Sequence, residues 1–372
     1  MKVNKAWRLL IGGGLAVALV AYGAFVLNGG AGGLVDLVLP EFPSLPEPAA
    51  ELSHAQAGEI YFQSATPFDF DVLIGDMRLA KPTTGFGTLF LPNNAGPKNP
   101  VPAMVVVHGS GGISPGREME YGQLLADSGF AAFVIDYYRP RGATEDVNYM
   151  LRVLSITEFD AITDAYSALK ILQTHPDIDP KRIGIMGFSY GGMAARFSMD
   201  SRIKQALAKG RPGFATHVDY YGPCFQNLHS SAITGAPLLT LRGDRDASNE
   251  LPACLEREAE LRELGAVVET QVYEGAGHAW ESTQTRTLIE EAPYVSGCEI
   301  EYDAAGRSFS GDRFIVDVPL ETTREERIAV RLSSGNVLGG CVKSGYIIGR
   351  DDPTRAKSDA RLLDFLKRTL RS

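Results

Sequence analysis

Apolar positions along the chain follow two alternating rhythms. Short apolar runs read as strands at 87–91, 103–107, 130–135, 183–186, 217–221, 237–241 and 267–273. The run from Ala103 to Val107 has no polar interruption, the pattern of a strand covered on both faces. Between these runs the apolar spacing changes to three and four. Over 158–174 it puts Phe159, Ile162, Ala165, Tyr166, Leu169 and Leu172 on one helix face. Stretches 250–264 and 357–370 carry similar patterns. Strands alternating with helices predict an α/β fold, a mostly parallel sheet with helices on both faces. The stretch 281–349 breaks the rhythm and reads as an insertion decorating the sheet, with little periodic structure.

The N-terminus has a different pattern. Lys2, Lys5 and Arg8 precede a charge-free run, most apolar from Leu9 to Leu27. A membrane-spanning helix needs about 20 apolar residues, whereas the apolar part of a cleaved secretory signal has about 7–15. Residues 1–28 are therefore read as an N-terminal transmembrane anchor in preference to a cleaved signal or a buried helix. The basic flank predicts an N-terminus in the cytoplasm and a body outside it, exported to a periplasmic or extracellular space. Residues 29–55, with Gly29, Gly30, Gly32 and Gly33 and then Pro40, Pro43, Pro46 and Pro48, read as a linker. Residues 56–372 form the globular domain.

Composition narrows the function. With 44% hydrophobic and 22% charged residues the chain is globular and not disordered. A net charge of −9 without a Lys/Arg cluster argues against nucleic-acid binding. The four cysteines, Cys224, Cys254, Cys298 and Cys341, form no C-x-x-C pair, which disfavours zinc-ribbon and thioredoxin-type chemistry. No H-E-x-x-H and no dinucleotide fingerprint occurs, so no metal or organic cofactor is implied.

Gly187-Phe188-Ser189-Tyr190-Gly191 is a G-x-S-x-G run between a strand-like segment and a helix-competent one. A nucleophile elbow needs that context: the serine sits on a strained strand-to-helix turn, and small neighbours let the backbone pack closely. Upstream, His108-Gly109-Ser110-Gly111-Gly112 follows a strand-like run. The N–H of Ser110 or Gly111 would pair with that of Tyr190 to hold an oxyanion; His108 reads as a loop-shaping residue. Of the six histidines, His217, His229 and His278 follow Ser189. His278 lies in a Gly-rich loop directly after a strand, where open α/β sheets place their chemistry, and is the candidate general base. The candidate acid lies in Gly243-Asp244-Arg245-Asp246, after another strand, with Asp244 and Asp246 both available.

Together these residues resemble the dienelactone hydrolase family of α/β-hydrolases. The matching pieces are the loop 108–112, Pro140-Arg141-Gly142, Asp179-Pro180-Lys181-Arg182-Ile183-Gly184, the elbow, Gly243-x-x-Asp246 and Gly275-Ala276-Gly277-His278-Ala279. The family's G-x-x-D ends on the triad acid, which implies Asp246. Its founding members carry a cysteine nucleophile where this chain has Ser189, so a general carboxylic ester of a small molecule is the expected substrate. The expectation is a serine esterase using Ser189, His278 and Asp246. A prolyl-oligopeptidase-type peptidase would share fold and triad but usually carries a propeller domain, for which the chain has no room. A catalytically silent envelope protein could use the same fold for binding. In an exported body an even cysteine count suggests disulfides. Cys224 and Cys254 follow neighbouring strands and are predicted to pair across the acid loop; Cys298 and Cys341 bracket the insertion. The resemblance extends to Cys254, whose distance from Gly243 is seen in similar exported members.

Overall fold

The computed structural model describes residues 30–37, 39–333, 337 and 339–371. An eight-stranded sheet forms its centre. Its strands are β1 (Gly58–Thr66), β2 (Lys81–Phe90), β3 (Val101–Val107), β4 (Ala131–Ile135), β5 (Ile178–Phe188) and β6 (His217–Tyr220). After the short β7 (Gln226–Asn227) come its last two, β8 (Leu238–Gly243) and β9 (Val268–Tyr273). The spatial order is β1-β2-β4-β3-β5-β6-β8-β9. The pairs β1–β2 and β2–β4 are antiparallel, and every other pair is parallel. This is the α/β-hydrolase type of fold.

Side-chain alternation along β3 explains its uninterrupted apolar run. Ala103, Val105 and Val107 join one core, with Phe159 and Ile162 of the helix Glu158–Leu172. Met104 and Val106 join the other, with Leu362, Phe365 and Leu366 of the helix Asp352–Leu370. All of these side chains are fully buried, and each large one contributes roughly 1.5–3 kcal/mol by leaving water. The helix Glu158–Leu172 starts at a capping box, Thr157 with Asp160, which satisfies backbone donors that a helix start leaves open.

Two elements carry no clear apolar signal in the sequence. In β1 the inward positions include Ser64 and Thr66, buried and hydrogen-bonded to Asp164 and Thr83, so polar residues mask the strand alternation. The helix Glu118–Asp127 has Gly122 at its centre, because a Cβ there would strike the Phe90 ring.

The insertion is more regular than its sequence suggests. Strand β10 (Thr287–Val295) pairs antiparallel with β14 (Val342–Ile348) as a ribbon. Between them β11 (Ile300–Tyr302), β12 (Ser308–Ser310) and β13 (Arg313–Val316) join β7 in a four-stranded sheet. The helix Arg324–Ser333 follows. It is fastened to the body by Arg327, fully buried, which donates to Asp69 at 3.1 Å and Asp71 at 2.9 Å. Short strands at irregular intervals leave little periodic trace.

Described residues of the stretch read as a linker also form regular structure. A helix, Gly30–Asp36, packs against the insertion helix, where a Cβ on Gly32 would meet the Glu326 side chain. Further on, Ala49 bridges to Phe62 of β1, and Leu52 is buried in the core. Among the described residues no helix is long and apolar enough to cross a membrane; the apolar run at 9–27 lies outside them.

The structure pairs the cysteines as Cys224–Cys254 and Cys298–Cys341, with Cα separations of 5.0 Å and 5.6 Å. The second closes a 43-residue separation within the insertion, which chain entropy values at on the order of 3–4 kcal/mol. Replacing Cys298 and Cys341 together by Ser should raise amide hydrogen exchange across 287–348 and leave the eight-stranded sheet unchanged. A uniform rise across the chain would contradict this local role.

Candidate active site

At the end of β5 the backbone turns sharply into the helix Tyr190–Phe197. Ser189 occupies the turn with φ 52° and ψ −118°, a conformation L-residues rarely adopt. The turn is held from behind by Ser189 N–H donating to Tyr220 O at 2.8 Å. It also needs small neighbours: a Cβ on Gly187 would collide with the Gly191 carbonyl, and one on Gly191 with the Val107 carbonyl. The sequence G-F-S-Y-G therefore places a half-buried Ser189 at the C-terminal edge of the sheet.

The loop after β3 lies beside it, with Gly109 against the Ser189 Cβ. The Ser110 carbonyl accepts from Tyr138 Oη at 2.9 Å and the Gly109 carbonyl from Tyr137 Oη at 3.3 Å, which fixes both peptides. Ser110 and Tyr190 border the same cavity as Ser189. His108 is fully buried, bonded to the Gly109 carbonyl at 2.7 Å and stacked on Tyr137, so it shapes the loop.

His278 and Asp246 meet directly: His278 Nδ1 is 2.6 Å from Asp246 Oδ2. Asp246 is buried and further held by Ser248 Oγ at 2.6 Å and Asn249 Nδ2 at 3.2 Å. Asp244, by contrast, is exposed and accepts the Gly275 N–H at 2.7 Å, the task of a turn acid. The other downstream histidines stand apart. His217 is buried against the Ala195 carbonyl, and desolvation pushes it down to about 4. His229 is exposed and paired with Glu301. Ser189 Oγ and His278 Nε2 make no hydrogen bond in this structure; such contacts are often long without substrate and tighten on binding.

The His278 loop takes its position from the insertion. His278 N–H donates to Ile347 O at 2.7 Å, and Gly349 N–H to His278 O at 2.9 Å. Tyr346, one residue earlier on β14, sets its ring at 5.4 Å and nearly perpendicular to the imidazole. On the other side Tyr221 packs at 4.5 Å, and its hydroxyl donates to the buried Glu281. The first disulfide lies under the acid loop, since Cys254 sits in the first turn of the helix Leu251–Glu263, directly after it. Tyr221, Glu281, Ser248 and Tyr346 carry no motif in the sequence, because their roles arise only where distant loops meet. Among the described residues no cluster of three or more His, Cys, Asp or Glu side chains is arranged to hold a metal ion.

A cavity of about 430 Å³ opens over Ser189. Met150, Leu154 and Phe225 line it together with Tyr294, Ile300 and Val342 of the insertion. That volume is within the range of small-molecule sites, roughly 300–1,000 Å³.

Glu281 offers a pH signature of this packing. Burial pushes its carboxyl above the ordinary range, and the pull of Arg117 and the Tyr221 hydroxyl does not cancel the effect. Ionising Glu281 therefore costs the folded state. Its contribution to stability falls as pH rises from the ordinary carboxyl range through the raised folded value. Glu281→Gln removes that titration, so its melting temperature should gain on the wild type's as pH goes from about 4 to 8. A difference independent of pH would contradict the assignment.

Comparison with known proteins places this geometry in a family. The dienelactone hydrolase family model matches residues 88–308, more than half of the chain. A curated Bradyrhizobium relative, the probable 2-oxo-3-(5-oxofuran-2-ylidene)propanoate lactonase, is 27% identical over 169 residues, 42% of this chain and 64% of its own. Human mitochondrial acyl-coenzyme A thioesterase 2 is 34% identical over 123 residues, 33% of this chain and 22% of its own. The chain thus spans under two thirds of either relative. Among solved structures, Thermogutta terrifontis esterase 2 is 16% identical with a TM-score of 0.43, covering 53% of this chain and 80% of that one. On the family match, the chain belongs to the dienelactone hydrolase family.

Proposed function

We propose that this hydrolase cleaves a carboxylic ester of a small molecule through an acyl-enzyme formed on Ser189. The observation that carries the reading is the 2.6 Å contact between Asp246 Oδ2 and His278 Nδ1, at the sheet edge where Ser189 occupies a strained turn. With Nδ1 engaged by the carboxylate, His278 is held in the tautomer whose Nε2 lone pair can accept a proton. Ser189 Oγ attacks the ester carbonyl carbon as its proton passes to His278 Nε2. The N–H groups of Tyr190 and Ser110 hold the carbonyl oxygen as it becomes an oxyanion. The carbon–oxygen bond to the alcohol then breaks, and the leaving oxygen takes the proton from His278. Water, deprotonated by His278, attacks the acyl carbon; the bond to Ser189 Oγ breaks, Oγ takes the proton back from His278, and the acid leaves.

A second substrate class has an observation of its own. The stretch shared with the human thioesterase makes thioesters a natural alternative, since the acyl-enzyme is the same and only the leaving atom differs.

The test is hydrolysis of p-nitrophenyl butyrate by purified variants. Ser189→Ala and His278→Ala should each lower kcat/KM on the order of 10³-fold or more, because they act as a unit. Asp246→Asn should cost about 10²-fold or more by disturbing the imidazole tautomer. Asp244→Asn should leave the rate within about twofold, as expected for a solvated turn acid. Reversal of the two aspartate results would overturn the assignment of Asp246.

We also propose that residues 9–27 hold the body at a membrane, with the site outside the cytoplasm. The charge-free run behind three basic residues supports this reading, as do the two disulfides, which persist in oxidising compartments. The full chain should sediment with membranes, and a variant lacking residues 1–28 should not. Recovery of the full chain as a soluble cytoplasmic protein would refute it.

A further inference from the structure

We infer that the substrate is a neutral ester bearing an apolar group, and that the insertion supplies the surface selecting it. The inference rests on the Ser189 reading above and deepens it. It starts from the charges that reach the cavity over Ser189. Among the described residues lining it, the formally charged ones are Glu158 and Arg331, one of each sign. Neither offers a free charge to a ligand. Glu158 is buried and accepts the hydroxyls of Tyr190 and, at 3.2 Å, of Tyr302. Arg331 donates to Asp69 at 3.2 Å, and Asp69 also pairs with Arg327. A substrate carboxylate entering here would leave water and reach Arg331 only in competition with Asp69, which already pairs it, an unfavourable exchange in a confined site.

Most of the remaining surface is apolar, and its polar members, among them Gln226 and Ser308, are neutral. Val153 and Leu154 come from the body, and Val295, Ile300, Ile315 and Leu332 from the insertion. The rim carries the same character. Tyr149, Met150, Leu332 and Val342 border the cavity, yet rank among the exposed large hydrophobic residues, at 37%, 47%, 47% and 53%. Exposed apolar side chains grouped at a cavity mouth mark a binding surface more than scattered ones do. The occupant is continuous with Ser189 below it, which commits this surface to the substrate's own apolar group. The Bradyrhizobium relative, by its name, acts on a propanoate, a carboxylate-bearing lactone; the charge arrangement over Ser189 points to a different selectivity here.

A matched pair of esters tests this on the full chain. p-Nitrophenyl hexanoate and the mono-p-nitrophenyl ester of adipic acid have acyl chains of similar length, but the second ends in a carboxylate. The neutral ester should be favoured in kcat/KM by about tenfold or more, since the buried carboxylate lacks a partner. Along the acetate, butyrate and hexanoate series kcat/KM should rise roughly two- to fourfold per methylene. Val342→Arg, at the exposed rim, adds a cation and should shift the hexanoate-to-adipate ratio toward adipate by about threefold or more. Equal or faster turnover of the adipate ester, or a preference for acetate, overturns the inference while Ser189-dependent hydrolysis stands. Undiminished hydrolysis by Ser189→Ala overturns the underlying reading, and the inference with it.

Discussion

The loop that brings His278 to Asp246 is tied by two backbone hydrogen bonds to the returning strand of the insertion. The donation from His278 N–H to Ile347 O and the return from Gly349 N–H to His278 O make the loop an extension of β14. The polypeptide between Thr287 and Ile348 leaves the hydrolase sheet, builds its own ribbon and small sheet, and comes back at this point. It returns with Tyr346 against the imidazole edge and Val342 over the cavity. An insertion that looks like decoration in sequence is thus a structural part of the site.

The acid side rests on a second arrangement, beneath the sheet edge. Arg242 on β8 is fully buried and donates to Asp219, to Glu258 and to Asn249 Oδ1, the last at 3.0 Å. Asn249 in turn donates to Asp246. Asp219 also pairs with the buried Arg196, so two cations balance two carboxylates, and removing one member of a buried ion pair typically costs about 3–5 kcal/mol. The Cys224–Cys254 disulfide joins the end of the β6 connection to the helix after Asp246, so the acid loop is closed by a covalent bond as well as by this network. Rigid support on both sides suits a site whose Ser189 turn is itself strained.

The sheet and the candidate site residues leave different traces in the sequence. Every apolar run read as a strand falls in the eight-stranded sheet, most plainly at β3 and β4, which are buried at every residue and apolar throughout. Ser189 stands out in sequence because so tight a strand-to-helix turn tolerates only small neighbours, which Gly187 and Gly191 record. Asp246 is not separable from Asp244 by local pattern; only the family spacing distinguishes it, and in the structure its Oδ2 lies 2.6 Å from His278 Nδ1. The β1 strand was hidden by inward Ser64 and Thr66, and the insertion by short strands that pair across long separations. Tyr221, Glu281 and Tyr346 owe their places around His278 to tertiary contacts that no local spacing encodes.

All of the proposed chemistry turns on one activated hydroxyl. Treatment of the full chain with a fluorophosphonate, followed by peptide mass spectrometry, locates that hydroxyl directly. The account predicts a single adduct on the peptide containing Ser189, and its disappearance in Ser189→Ala. An adduct on another serine, such as Ser110 or Ser248, or an unlabelled enzyme that still hydrolyses esters, would contradict it.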